Sequence, residues 1–426
     1  MTILQVTLAA IFVVSYILIT FEHQLKVEKA PTAMIAAVVM WAVLALGGAE
    51  VEHLKHDLEL TGSETISIIL FLLLAMSLVE VLVHYRLFDW IRSRLYRLGL
   101  QDRGQFVVLA TLTFFLSAAL DNLTITIVMT QIALRFFKGK NLLVVVAGIV
   151  ISANAGGAWS PIGDVTTIML WLAGKYTASD VILDTFAASL THHIVATWLL
   201  RRQIIGNNGD STEELQISFV KSELVIICIG MASFAMPLVM TTMSLPPFFG
   251  LLFGLATVWI LIGIFRERTQ HETHLSAGVR HLIAKIDFPS LMFFTGILFA
   301  VAALNTVGIL ELMSKVLLGE SAGFNRVIGV NIALGYLSSL VDNVPLTALS
   351  INMLVVVDPR LWTLLAYTVG TGGSHLIIGS VAGVVAMGMV PELNSGAYFK
   401  IATKTVFVAY LAGMAVWYLQ VMMLGF

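Results

Sequence analysis

The sequence predicts an all-α polytopic membrane protein with about ten spanning helices and two re-entrant hairpins. It further predicts an inverted-topology repeat in which each half holds one hairpin and one broken transmembrane helix. Three observations carry this. The chain is 58% hydrophobic and 12% charged, whereas a soluble domain is about 25% charged, so it cannot cover a water-facing surface. Its apolar stretches suit helices of roughly 20 residues, and the alternating pattern of a barrel is missing. Finally, polar pairs in the middle of two of these stretches recur in the same order.

Residues 1–64 form an N-terminal unit with apolar runs at about 1–20 and 31–48. The first run has no basic segment before it and no convincing small-residue cleavage site, so it reads as a retained transmembrane helix. The connection AEVEHLKHDLELTGSE reads as an external loop, with Glu52, His53 and His56 solvated. The single cysteine, Cys228, excludes an internal disulfide and reads as a small apolar residue.

Repeat 1 spans residues 65–205. Its first helix, at 65–84, carries Glu80 and His84 on one face at i,i+4 spacing near the inner end. The pair suits a proton relay, since His titrates near neutral pH, or snorkelling side chains at the interface. Next comes the most basic stretch, with Arg86, Arg92, Arg94, Arg97 and Arg103, which the positive-inside rule makes cytoplasmic. Arg135, Lys138 and Lys140 form a second basic cluster that also belongs inside. Only residues 104–134 lie between the two. One crossing would put a basic cluster outside. Two crossings would leave limbs of about 15 residues, or ~23 Å against a ~30 Å hydrocarbon core. A hairpin that enters and leaves on the cytoplasmic side resolves the conflict, with its tip at Ser117–Thr126, SAALDNLTIT.

Residues 142–175 would make a continuous helix of ~51 Å, far longer than the ~30 Å core. Asn154, Gly156, Gly157, Pro161 and Gly163 break it in the middle. A helix at 186–200 completes the repeat, and residues 206–288 hold connecting helices and a cytoplasmic loop. Repeat 2, residues 289–426, has an outside-entry hairpin at 327–357 and a broken helix at 361–391. With neither hairpin crossing, 19 of the 24 Lys and Arg residues are cytoplasmic and both termini lie outside.

The repeat is visible in the residues. At an offset of 221, Ser117, Asp121, Asn122 and Thr126 match Ser338, Asp342, Asn343 and Thr347. At an offset of 216, NAGGAWSPIGD, from Asn154 to Asp164, resembles GTGGSHLIIGS, from Gly370 to Ser380. Inverted repeats of this kind place a transport site near the bilayer midplane.

Asp121 and Asn122 at one tip, and Asp342 and Asn343 at the other, are candidate ligands for a cation. They can equally be helix caps, since Asp and Asn favour that position and Pro345 suits a first turn. An ionised Asp at the bilayer centre costs about 2.5–3.5 kcal/mol on insertion scales, which favours function. Carboxylate, amide and hydroxyl groups, including Thr124, Thr126 and Ser338, make a hard oxygen site suited to a hard cation. Asp164, Thr166 and Thr167 form a second oxygen cluster, or a cap on the outer half-helix. Asn154 could ligate or satisfy unwound backbone. Ser374, Ser380 and His375 stand in the second break, His375 as a proton carrier or a hydrogen-bonded core residue. His192 and His193 have no evident partner.

These segments resemble the ion transporter superfamily, and most closely the NhaD-type sodium/proton antiporters. The resemblance rests on SAALDNLTITIVM, SANAGGAWSPIGDVTTIM, SSLVDNVPLTALSINM and GTGGSHLIIGS and extends over most of the chain. It implies exchange of Na⁺, with Li⁺ as an alternative, for H⁺ in a bacterial inner membrane. It also implies transport roles for Asp121, Asn122, Asn154, Asp164, Thr166, Thr167, Asp342 and Asn343. His375 and Ile377 depart from the hydroxyl-rich second break that relatives are expected to have.

On this reading the protein is a secondary transporter rather than an enzyme, serving pH homeostasis without a cofactor. Its partners are monovalent cations, protons and the lipid bilayer. The net charge of -2 gives no reason to invoke nucleic acid, and a homodimer is among the assemblies left open. An arsenite or oxyanion permease of the same superfamily is the main alternative. Dicarboxylate transport fits less well, because an added carboxylate repels an anion. An intramembrane aspartyl protease needs Gly-x-Gly-Asp, and Pro161 breaks that pattern in PIGD. The mechanism expected is competition of Na⁺ and H⁺ for Asp121, with Asp164 and Asp342, in alternating access.

Overall fold

The computed structural model describes residues 1–20, 22, 27–48, 51–205, 219–268, 286–319, 323–354, 356 and 358–424. The cytoplasmic loop expected before Lys285 falls almost wholly outside them.

Helices α1 (Ile3–Thr20) and α2 (Lys29–Leu46) form at the first two apolar runs. Helix α3 runs unbroken over Val51–His84, 34 residues. This corrects the external loop at 49–64: Glu52, His53 and His56 are exposed but helical. Most of that segment consists of good helix formers, and a helix of ~51 Å projects beyond a ~30 Å core. An amphipathic helix, α4 (Leu87–Arg97), carries the basic stretch.

Both predicted hairpins are helical hairpins. In the first, α5 (Asp102–Ser117) and α6 (Asn122–Phe136) are joined by a four-residue tip. In the second, α15 (Phe324–Leu337) and α16 (Asn343–Met353) are joined by residues 338–342. Both predicted breaks are also present. Helix α7 (Gly139–Gly157) stops before a turn that leads into α8 (Val165–Leu172). Helix α17 (Pro359–Gly372) passes through two 3₁₀ turns, Gly373–His375 and Ile377–Gly379, into α18 (Val381–Met389).

The remaining helices surround these. They are α9 (Ala178–Arg201), α10 (Lys221–Ser233), α11 (Met236–Thr242), α12 (Phe248–Arg268), α13 (Phe288–Thr306) and α14 (Ile309–Leu318). Last comes α19 (Ser395–Tyr398), which continues through a π-helical turn (Phe399–Thr403) into α20 (Lys404–Leu424). Among the described residues, seven helices are long and apolar enough to cross a membrane, or eight when α10 and α11, bent by 42°, count as one span. Two of the ten expected spans fall outside that number. Helix α9 carries Asp180, Asp184, His192, His193 and Arg201, and α17–α18 is interrupted by its break.

Helix α7 is 78% buried and α1 only 11%, so α7 lies at the centre and α1 at the periphery. Outward-facing Val14, Ile35, Val38, Phe253 and Ile260 would be a liability in water and suit contact with lipid. Cys228 faces outward too, as an apolar surface group.

The two halves share their internal contacts. Ser117 Oγ donates to Ala153 O at 2.7 Å, and Ser338 Oγ donates to Val369 O at 2.9 Å. Both bonds tie a hairpin's first limb to the helix just before the break. There the backbones nearly touch. A Cβ on Gly156 would lie 2.1 Å from Phe114 O, and one on Gly372 would lie 2.0 Å from Gly335 O. Each of these pairs follows the offsets of 221 and 216 read from the sequence. The halves also interlock: α6 packs on α18, and α16 packs on α8.

Candidate functional site

The tips and breaks meet at one buried carboxylate. Asp164, 1% exposed, accepts from Asn122 Nδ2 at 2.8 Å through Oδ2. Asn343 Nδ2, from the other half, faces the same carboxylate at 3.4 Å from Oδ1 and 3.3 Å from Oδ2. Asn122 Nδ2 also lies 3.1 Å from Asn154 Oδ1. Asn154 Nδ2 then donates across the halves to Ser374 Oγ at 2.9 Å and Ser380 Oγ at 3.0 Å. Six polar side chains from both tips and both breaks thus form one network, and all six are buried.

Local sequence explains each position. Asp164 is the N-cap of α8: its Oδ1 accepts from Thr166 N at 3.2 Å. Thr167 completes a capping box, accepting from Asp164 N at 3.2 Å through Oγ1. Ser380, the equivalent residue in the second half, caps α18 by accepting from Gly383 N at 3.2 Å. A Ser in the place of Asp leaves the network with one central carboxylate. The cap and site readings of Asp164 are therefore both true. The fold needs an acceptor at this position, and the carboxylate supplies the charge.

At the tips, Asp and Asn have separate roles. Asp121 caps α6, accepting from Thr124 N at 3.0 Å and from Thr124 Oγ1 at 2.5 Å. Asp342 caps α16, accepting from Val344 N at 3.0 Å. The asparagine that follows each cap points inward to Asp164. A small cavity of about 50 Å³ adjoins Asp121, Asn122, Asp164 and Asn343 and is also lined by Phe71, Phe234 and Phe294. Asp121 and Asp342 both add negative potential at Asp164, and of the two only Asp121 lines this cavity.

Thr126, matched to Thr347 in the second hairpin, is buried on α6. Thr347 Oγ1 donates to Asn343 O at 2.8 Å, within its own helix. The remaining candidates lie apart from the network. Glu80 and His84 are half-buried at the end of α3, next to Tyr85, and do not line the cavity. His375 Nδ1 donates to Gly372 O at 2.8 Å, and its ring packs on Tyr336 and Tyr410. His192 and His193 do have partners. His192 Nδ1 is 3.4 Å from Tyr367 Oη, and His193 Nδ1 is 3.1 Å from Ser152 Oγ. Both histidines therefore pack and bond between helices.

Two residues that sequence reasoning missed hold the second break. Tyr398 Oη donates to Ser374 O and Thr403 Oγ1 donates to His375 O, each at 2.7 Å. Tyr398 precedes the π-helical turn and Thr403 ends it, and the turn rotates the face of the helix by an extra residue. No local pattern announces such a turn.

Comparison with known proteins finds relatives over most of the chain. A family model described as citrate transporter matches residues 16–372. Sodium/proton antiporter 1 of Arabidopsis thaliana is 33% identical over 420 residues, spanning 96% of this chain and 72% of that protein. Sodium/proton antiporter 2 of the same plant is 32% identical over 422 residues, spanning 96% and 97%. The Na(+)/H(+) antiporter NhaD of Vibrio cholerae is 30% identical over 417 residues, spanning 89% and 84%.

Proposed function

The chain belongs to the citrate transporter family, on its NhaD-type sodium/proton antiporter side, and from that premise we propose that it exchanges Na⁺ for H⁺ across a membrane. The observation that carries the proposal is the convergence of both tips and both breaks on Asp164. One carboxylate among neutral amides and hydroxyls carries a single negative charge, which matches Na⁺ or H⁺. It would repel citrate or another anion.

In the present arrangement the amides of Asn122 and Asn343 turn their N–H groups to Asp164. They stabilise the carboxylate as an anion. An amide also carries an oxygen acceptor, so a half-turn of either side chain presents Oδ1 to a cation instead. A proton on Asp164 removes the charge that holds the cation, and a bound cation disfavours the proton. Exclusive occupancy of one group couples the two fluxes. The elements that move are the hairpins and half-helices, each holding one part of the network, against the frame of α2, α3 and α13. Li⁺ is an alternative substrate by the same chemistry.

This reading retains the re-entrant topology, with both termini outside, in a bacterial inner membrane, and a role in pH homeostasis. The test uses purified protein in liposomes with an internal pH dye. External Na⁺ should drive H⁺ out of the wild-type vesicles, and Asp164→Asn should abolish the signal. Retained exchange in that variant removes Asp164 from the mechanism. Arsenite uptake without Na⁺-driven H⁺ movement would favour an oxyanion permease.

A further inference from the structure

A second cavity, of about 500 Å³, lies against the extended N-terminal half of α3. Its walls carry Asp57, Glu64, Ser63 and Ser67 from α3, Asn305 from α13 and Asn352 from α16. The two acids are seven residues apart on one helical face, so about 10 Å separates them along the axis. Glu64 is exposed, and half-buried Asp57 accepts from Thr306 Oγ1 at 2.8 Å. Lys175 interacts electrostatically with Glu64, but its Nζ lies over the Trp362 ring, 4.7 Å from the centroid.

The position of this cavity gives it meaning. Leu172, the last residue of α8, and Asn352, in the last turn of α16, both line it. The opposite ends of these two helices are capped by Asp164 and Asp342. Each helix therefore spans from the network to the cavity. Eight residues of α8 put only ~12 Å of helix between the two. The C-terminal ends that face the cavity carry partial negative charge, which adds to that of the two acids. The small cavity at Asp121 lies on other walls, between Phe71, Phe234 and Phe294.

We propose that this larger cavity is the vestibule through which hydrated Na⁺ reaches the network from one face of the membrane, and that Glu64 and Asp57 concentrate the cation there. The proposal rests on the Na⁺/H⁺ exchange reading. The vestibule acids do not carry the proton, and their function is electrostatic. A cleft lined by charge of one sign raises the local counter-ion concentration about tenfold or more, and salt screens the effect.

The experiment measures Na⁺-dependent H⁺ flux in proteoliposomes of known protein orientation, with Na⁺ added from each face. For E64Q/D57N at low ionic strength, the half-saturating Na⁺ concentration should rise about threefold or more. The rise should occur from one face only and shrink when choline chloride is added, while the rate at saturating Na⁺ holds. An unchanged half-saturation, an equal shift from both faces, or a shift insensitive to salt would overturn the proposal. E64Q alone, at an exposed position, should give a partial shift and guards against misfolding of the double variant. Ser63→Cys in a Cys228→Ala background should react with a membrane-impermeant thiol reagent from the same face, and no reaction would overturn the vestibule. A wild-type protein without Na⁺-driven H⁺ flux would instead sink the exchange reading, which is a separate outcome.

Discussion

At the scale of single residues, the division of labour within each Asp-Asn pair explains why both are present. The aspartate satisfies free N–H groups at the start of a hairpin's second limb, and the asparagine reaches across to Asp164. Ser, Asn and Asp supply an N-cap about equally well, so the cap alone does not require an acid. The second acid is useful because the cavity beside Asp121 leads to Asp164. Asp121→Asn is therefore expected to keep a folded tip and measurable exchange, with a raised half-saturating Na⁺ concentration. Asp164→Asn should lose exchange altogether. Equal loss in the two variants, measured by the pH-dye assay, would make Asp121 as essential as Asp164. Asn154→Ala should lower the exchange rate at least tenfold, because it severs the link from Asn122 to Ser374 and Ser380. A rate equal to that of wild type would show the link to be dispensable.

Whole elements depend on how closely their backbones approach. Helix α5 lies against α7, and α15 against α17, through Gly156 and Gly372. Alanine in a helix is favoured over glycine by about 1 kcal/mol. A new Cβ within 2.1 Å of a carbonyl oxygen reverses that balance, since forced overpacking costs about 1–3 kcal/mol or more. Gly156→Ala and Gly372→Ala should each lower the melting temperature of the purified protein. Gly62→Ala on α3, where a Cβ meets open space, should leave it equal or higher. The hairpin limbs, at 16 and 15 residues, are each too short for a comfortable crossing. Cysteines at Arg97 and Lys140, which flank the first hairpin, should therefore react with an impermeant reagent from the same face. Reaction from opposite faces would mean that the segment crosses.

On the scale of the whole molecule, the proposed mechanism ties Na⁺ and H⁺ together through one site shared by two halves. Since protonation of the central carboxylate excludes the cation, the half-saturating Na⁺ concentration should rise as pH falls. In the limit of full exclusion the rise is about tenfold per pH unit. A flat dependence would point to separate sites for the two ions. Much of this architecture was legible in the chain. The apolar runs, the two hairpins, the two breaks and the repeat offsets follow from local composition, because a bilayer selects helices by length and apolarity. Asn122, Asn154, Asp164 and Asn343 were legible as candidates because polar groups in apolar runs are costly to keep. The unbroken α3 was missed, since its polar N-terminal half reads equally well as loop. Also beyond reach was the partnership itself: Asp164 is 179 residues from Asn343, and Asn154 is 226 from Ser380. Sequence alone determined that these polar groups lie at the tips and breaks. Only the tertiary structure decided that the asparagines face Asp164 while their neighbouring aspartates cap helices, because a hydrogen bond depends on distances that the packing of distant segments sets.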